Sequence, residues 1–438
     1  PTPILGSFQA EFLALPKEVL VMVMRKHQRY FPVEDPATGK LLPHFITVAN
    51  GAVDHDAVRL GNESVLTARY QDAQFFYEAD TKKTLADFKP ALEGITFQTE
   101  LGTMLDKTKR VETLAPTLAK RLGFSDADAK IAGEAASLAK ADLATQLVME
   151  FTSLAGVMGK HYATREGLDA KLCDAVFEAA LPRSSGDLLP SSPAGIAVAV
   201  ADRLDTLVGL FAVVGAPKAT ADPFGLRRAA YGAVQALVAN GARCDARAAL
   251  AEAAALQPVA CGAETVGECV EYMTRRLEQY LVDSGCGIEA VRAVLAERGD
   301  DPAFAAATAR ELDEVVKAKG SDALKTAMAV LARPTKLVRG KELPEDLEVK
   351  RDSLVDAEEV ALYDAYLAAR EALGDGSAAS VSDLLAAAAT LSAPSEAFFD
   401  EVFVMAEEPE LRRNRLALVN AVASLPEGIV DFAELPGF

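Results

Sequence analysis

Tryptophan is absent from the 438 residues, and aromatic side chains make up only 6% of them. Alanine is abundant, favours helix and adds little bulk to a core. The expectation is therefore mostly helices, closely packed. Histidine occurs four times, too few for a metal centre built on several imidazoles. The five cysteines, Cys173, Cys244, Cys261, Cys269 and Cys286, are widely spaced, and no pair has C-x-x-C spacing. Free thiols in a reducing compartment are expected, and no zinc site. No apolar run reaches membrane-spanning length. No signal or transit peptide is legible, and the chain starts without methionine at Pro1-Thr-Pro-Ile-Leu-Gly-Ser7, which reads as a fragment or processed product. Also missing are a phosphate-binding G-x-x-x-x-G-K-[ST] loop, a dinucleotide fingerprint and a G-x-S-x-G elbow.

What is present is acid. The net charge is −19 and the isoelectric point about 4.8. That balance argues against a generic nucleic-acid binder, but local basic patches suffice for specific phosphate contacts. Half of the chain is hydrophobic, enough for a sizeable core over two to four domains. Residues 1–90 mix strand and helix signals. Glu11–Leu15 reads as a strand, Pro16 opens a helix, and Tyr30–Val33 and His44–Ala49 read as a hairpin around Asp35–Lys40. From about residue 91 the pattern is helical, with apolar stripes over Met104–Leu122, where Pro116 predicts a kink or split, and over Ile196–Phe211. Polar connections are predicted over Pro182–Pro193, Gly215–Pro223 and 333–346, without internal repeats.

The most informative segment is Leu411-Arg-Arg-Asn-Arg-Leu416. Glu407, Glu408 and Glu410 flank Pro409, which suits a first helical position. Leu411, Asn414, Leu418 and Val422 fall on one stripe, while Arg412, Arg413 and Arg415 are set to face a polyanion. The plain alternative is a solvated basic face. Two other clusters invite the same pair of readings. Arg333-Pro-Thr-Lys-Leu-Val-Arg339, with Lys336 at its centre, is expected to start extended and track a phosphate backbone. Arg227 and Arg228 follow Asp222-Pro-Phe-Gly-Leu226 and by default bond neighbouring carboxylates. Arg25–Tyr30 ends a helix, and Lys107, Lys109 and Arg110 are expected on a solvated helix face.

Asp142, His161 and Asp202 sit where a metal-dependent phosphohydrolase of the HD superfamily would have ligands, with Asp205 three residues beyond. Asp142 is expected to share a helix face with Leu138, Thr145 and Met149. However, Ala141 stands where the histidine of the His-Asp pair belongs, and His161 is the one histidine beyond residue 55. Aspartates that fix helix packing are the alternative.

Several uncommon strings carry a resemblance: Gln28-Arg-Tyr-Phe-Pro-Val33, Ala68-Arg-Tyr-Gln-Asp-Ala-Gln-Phe-Phe-Tyr77, Leu101-Gly-Thr-Met-Leu-Asp-Lys107, Gly156-Val-Met-Gly-Lys-His-Tyr162, Asp222-Pro-Phe-Gly-Leu-Arg-Arg228 and Arg413-Asn-Arg-Leu416. In this order they resemble the β subunit of bacterial-type glycyl-tRNA synthetase without its N-terminal part. Arg333–Gly340 and the ending Leu435-Pro-Gly-Phe438 are similar to the organellar form of plants and green algae, in which α and β regions are fused. The resemblance implies a mainly α, multidomain fold. It comprises an α/β portion (1–90), a degenerate HD-like helical domain (91–240), a helical linker or body (241–345) and an anticodon-binding-like helical domain (346–438). It implies binding of glycine tRNA, with Arg412, Arg413, Asn414 and Arg415 as candidate contacts, alongside an α region or subunit that makes glycyl-adenylate with ATP and magnesium. An oligomer without membrane contact is expected, in the chloroplast or mitochondrion, or in a bacterial-type cytoplasm. Neither class of synthetase signature occurs here, so no catalytic residue, metal or cofactor is assigned to this chain. The competing expectations are an active HD phosphohydrolase and a non-catalytic helical scaffold.

Overall fold

The computed structural model describes residues 1–438 except 219–220, 319–321, 342, 345–346, 375 and 377. The chain forms two compact units, one from residues 1–236 and 251–262, the other from 237–250 and 263–438. The boundary expected between 345 and 346 falls on residues outside the described set.

The first unit begins with an antiparallel sheet of β1 (Thr2–Ser7), β2 (Phe31–Glu34) and β3 (Leu41–Ala49), in the order β1-β3-β2. The expected hairpin is β2–β3. Asp35 closes its turn by accepting from the backbone N–H of Ala37 at 2.9 Å and donating its own to Lys40 O at 2.9 Å. Gly39 supplies the left-handed residue at φ +64°. Glu11–Leu15 is not a strand. Its backbone closes local turns instead, from Phe12 N to Gln9 O and from Leu15 N to Phe12 O, in a 3-10 segment spanning Ala10–Ala14. The buried Phe12 ring leans on Tyr70 with centroids 5.4 Å apart. Tyr70 belongs to the long helix His55–Asp80, which Asp54 caps and which covers the sheet through Leu66, Tyr70 and Ala73. A two-strand ribbon of β4 (Thr96–Gln98) and β5 (Gly102–Thr103), not foreseen, precedes the helices.

The helix Met104–Arg121 starts at a capping box between Thr103 and Asp106. It runs through Pro116 without splitting. The facing helix Asp126–Leu138 has Gly133 there, where a β-carbon would stand 3.0 Å from the proline ring, so the glycine leaves the ring its space. The helix Pro193–Val214 is buried along most of its length, including Ile196, Val200, Leu204, Leu207 and Phe211.

The second unit is helical throughout its regular elements among the described residues. Its buried Arg298 collects the carbonyls of Gly428, Gly376 and Ala379 and the Thr308 hydroxyl at 2.6–2.9 Å, with its guanidinium 4.1 Å from the Phe304 ring centroid. No helix of the described residues is long and apolar enough to cross a membrane.

In the sheet, Gly6 pairs with Phe45, and a β-carbon at Gly6 would stand 2.3 Å from the Phe45 ring. Phe45 is fully buried and stacks on Tyr30 at 4.7 Å, so it cannot retreat. Gly6→Ala is expected to cost about 1–3 kcal/mol through overpacking, read as a lower thermal midpoint. An unchanged midpoint would mean the sheet yields.

Candidate functional site

The helix Pro409–Ala423 begins as its sequence asks. Pro409 occupies the first turn, and the Glu408 carboxylate accepts from the N–H groups of Glu410 and Leu411. The basic cluster that follows is divided. Arg415 is buried and turns inward. It pairs with Glu359 and with Asp356 at 2.6 Å and donates to Phe403 O at 2.8 Å. Asn414, also buried, clamps the backbone of Lys350, accepting from its N–H at 2.7 Å and donating to its carbonyl at 3.0 Å. Arg415 and Asn414, both candidate tRNA contacts from the sequence, are instead committed to holding the helix against Ala357–Leu373 and the segment before it. Arg412 and Arg413 are half-buried at the surface, and Arg412 has no ion-pair partner among the described residues.

Arg333 and Lys336 lie on the helix Asp322–Val338, and Arg339 follows its end. The expected extended start is corrected: Leu331 and Pro334 are buried on a helix that packs against Pro409–Ala423, and this burial overrides the preference of a pre-proline residue for extended backbone. The three cations are exposed, with Arg333 3.7 Å from Asp400 and over the Phe399 ring. In the first unit, Asp222 caps the helix Leu226–Ala239 by accepting from the N–H groups of Leu226 and Arg227 at 2.8 and 2.9 Å. Arg227 donates to Lys218 O, while Arg228 is exposed and folds beside Gly225.

The HD-like positions do not converge on one cation site. Asp142 sits on the 3-10 turn Ala141–Ala144, not on a long helix face. Its Oδ2 accepts from the N–H groups of Gly156 and Gly159 at 2.6 and 2.9 Å, which caps the helix Val157–Arg165 from across the fold. Gly156 has φ +79°, open to glycine at little cost. Burial pushes the Asp142 pKa up to about 6, against the pull of those N–H groups and of Lys140. His161 is half-buried, with Nε2 2.9 Å from the Tyr77 hydroxyl, and burial lowers its pKa.

Asp202 and Asp205, on the helix Pro193–Val214, already hold cations of the chain itself. Lys107 Nζ lies 3.2 Å from Asp202 Oδ1 and 2.9 Å from Asp205 Oδ2, and it also donates to Thr206 Oγ1 at 2.8 Å. Arg110 takes Asp205 through two nitrogens at 2.6 and 3.2 Å, and Lys140 reaches Asp202 at 2.9 Å. Burial would raise both aspartate pKa values. The neighbouring ammonium and guanidinium groups outweigh it and hold both below the usual range. Lys107 and Arg110 are therefore not on a solvated face. The signal was in the spacing: Met104, Lys107, Val111, Leu114 and Leu118 form one helical stripe, so Lys107 stands among buried positions. Asp80 gave no such signal. It is buried at the end of its helix and accepts from the N–H groups of Gln146 and Leu147 and from the Tyr162 hydroxyl at 2.8–3.1 Å. Among the described residues no cluster of three or more His, Cys, Asp or Glu is arranged to hold a metal ion. The phosphohydrolase expectation finds no support in this arrangement.

Residues 1–296 match the family model described as "Glycyl-tRNA synthetase beta subunit", and residues 328–429 match that of the "DALR anticodon binding domain". The chain is 44% identical over 438 residues to a glycine–tRNA ligase, chloroplastic/mitochondrial 2, of Arabidopsis thaliana, covering 100% of this chain and 40% of that protein. It is 39% identical over 445 residues to a glycine–tRNA ligase beta subunit of Haemophilus influenzae, covering 99% of this chain and 62% of the relative. It is 40% identical over 450 residues to the beta subunit of Moorella thermoacetica, covering 99% and 63%. The chain thus spans less than two thirds of the length of these relatives.

Two outcomes separate internal from outward cations and test the buried acid. Arg415→Ala leaves Glu359 buried without its partner and is expected to destabilise the second unit by about 3–5 kcal/mol, whereas Arg412→Ala should stay within about 0.5 kcal/mol. Denaturant unfolding of both variants measures this, and equal losses would contradict the division. An acid with a raised folded pKa contributes stability that is complete below its unfolded value and is lost as pH rises through about 6. The advantage of the natural chain over Asp142→Asn is therefore expected to shrink between pH 4 and pH 7. A constant difference in thermal midpoint across that window would contradict it.

Proposed function

The chain belongs to the glycyl-tRNA synthetase beta-subunit family, and from that premise we propose that it is the tRNA-binding part of a glycine–tRNA ligase. In this reading it supports attachment of glycine to glycine tRNA, while the adenylate is made with ATP and magnesium on an α region outside this chain. The four-segment division read from the sequence and an oligomeric assembly with that α region belong to the same proposal. So does a chloroplast or mitochondrial setting, which the name of the Arabidopsis relative favours.

One observation carries the reading. The segment that matches an anticodon-binding domain holds Arg333 and Lys336 exposed on one helix, Arg339 exposed just past its end, and Arg412 at the surface of a helix packed against it. Single-stranded RNA loops are recognised by arginine stacking and base-edge hydrogen bonds on a scaffold that holds them in place. Asn414 and Arg415 supply the scaffold, and the outward cations supply the contacts. The negative remainder of the chain, net −19, disfavours indiscriminate association with RNA.

A gel-shift titration with glycine tRNA against other tRNAs, with and without the α region, tests this. Glycine tRNA should bind preferentially. Arg412→Ala combined with Lys336→Ala should weaken binding and flatten the salt dependence by roughly 0.7 log units per lost phosphate contact. No affinity at physiological salt would favour a helical scaffold, and an unchanged slope would remove these two residues from the interface.

A further inference from the structure

A cavity of about 920 Å³ opens in the first unit between the turn Val23–Gln28 and the helix Val157–Arg165. Among the described residues, four cations line it, Arg25, Lys26, Lys160 and Arg183, against one acid, Glu18. This is a local reversal of sign in a chain of net charge −19. The turn that carries Arg25 and Lys26 is a π-helix, a wide and uncommon form that tends to occur at functional sites. It ends on Arg29 with φ 57°, a left-handed conformation rare outside glycine. Both cations of the turn are exposed.

The other two cations are held in place. Lys160 Nζ lies 2.6 Å from Asp174 Oδ1, and Arg183 meets the Asp187 carboxylate through two nitrogens at 2.8 and 3.1 Å. Both stand over the Phe177 ring, at 5.7 and 5.4 Å from its centroid. A lysine has three donors and an arginine five, so one carboxylate each leaves donors for a ligand. Ser153, His161 and Thr164 add neutral polar groups to the wall, and its apolar part includes Met22 and Leu154, both buried, and Phe177, half-buried. None of Asp142, Asp202 and Asp205 lines the cavity.

A bare phosphate would use the cations and leave the apolar wall idle. A purely apolar ligand would strand the cations. A nucleoside phosphate satisfies both, its phosphate among Arg25, Lys26, Lys160 and Arg183 and its base against Met22, Leu154 and Phe177. We propose that this cavity binds a nucleotide unit, either a free nucleoside monophosphate or the phosphorylated end of an RNA strand. The site is independent of the tRNA-binding reading above, whose cations lie in the second unit.

Calorimetric titration of the intact chain with AMP, with a 5′-phosphorylated ribotrinucleotide and with inorganic phosphate tests it. Binding of AMP, alone or together with the trinucleotide, supports the proposal, and binding of the trinucleotide alone assigns the site to a strand end. Arg25→Glu with Lys26→Glu, both on the surface and free of a packing role, should weaken that binding by about ten-fold or more. Lys160→Met should weaken it in the same direction, and Arg333→Ala should leave it unchanged. No binding in any arm, inorganic phosphate binding as tightly as AMP, or affinities unmoved by the double variant would overturn the proposal. Loss of nucleotide binding with tRNA affinity intact would leave the function proposed above untouched.

Discussion

A cation withdrawn from water must be matched by oxygen, and in this protein that requirement fixes which helices can meet. An unmatched buried charge costs several kcal/mol, a large part of the stability of a whole domain. Lys107 and Arg110 can be buried only where Asp202 and Asp205 come to meet them, which sets the register of Met104–Arg121 on Pro193–Val214. Arg415 similarly ties Pro409–Ala423 to Ala357–Leu373. Arg298 solves the same problem with neutral carbonyls, drawing the backbone at Gly376, Ala379 and Gly428 to one guanidinium. An alanine-rich core supplies little shape of its own, so these polar anchors carry much of the specificity of packing.

The same requirement sorts the functional residues. Buried cations held by internal partners, such as Lys107 and Arg415, are removed from any ligand's reach. The cations proposed as ligand contacts are those left reachable, on the helices of the second unit and around the cavity of the first. The Asp202–Asp205 pair shows the converse. Two neighbouring carboxylates are neutralised by ammonium and guanidinium groups of the chain itself.

Much of this was legible in the sequence. The hairpin around Asp35–Lys40, the helical stripes over Met104–Leu122 and Ile196–Phe211, the helix start at Pro409 and the departure at Ala141 were all carried by local patterns. What was not legible depended on partners distant in sequence. Arg412 and Arg415 differ by three positions and look alike. Only Glu359 and Asp356, more than fifty residues upstream, make one of them internal. Glu11–Leu15 has a strand's composition but forms local turns beside Tyr70. Pro116 and Arg333-Pro334 carry helix-breaking chemistry that neighbouring helices override, the first through Gly133. The cavity beside the π-turn draws on four separated segments, and no single one announces it.

The arrangement of Arg412 beside Arg415 also has a mechanical side. A load applied to the outer face of Pro409–Ala423 passes within one helical turn to a buried ionic strut fixed to Ala357–Leu373. Such a mount is stiff, so the surface it carries has little freedom to mould itself around an imperfect guest. Discrimination there would come from refusing the wrong shape rather than from adjusting to the right one.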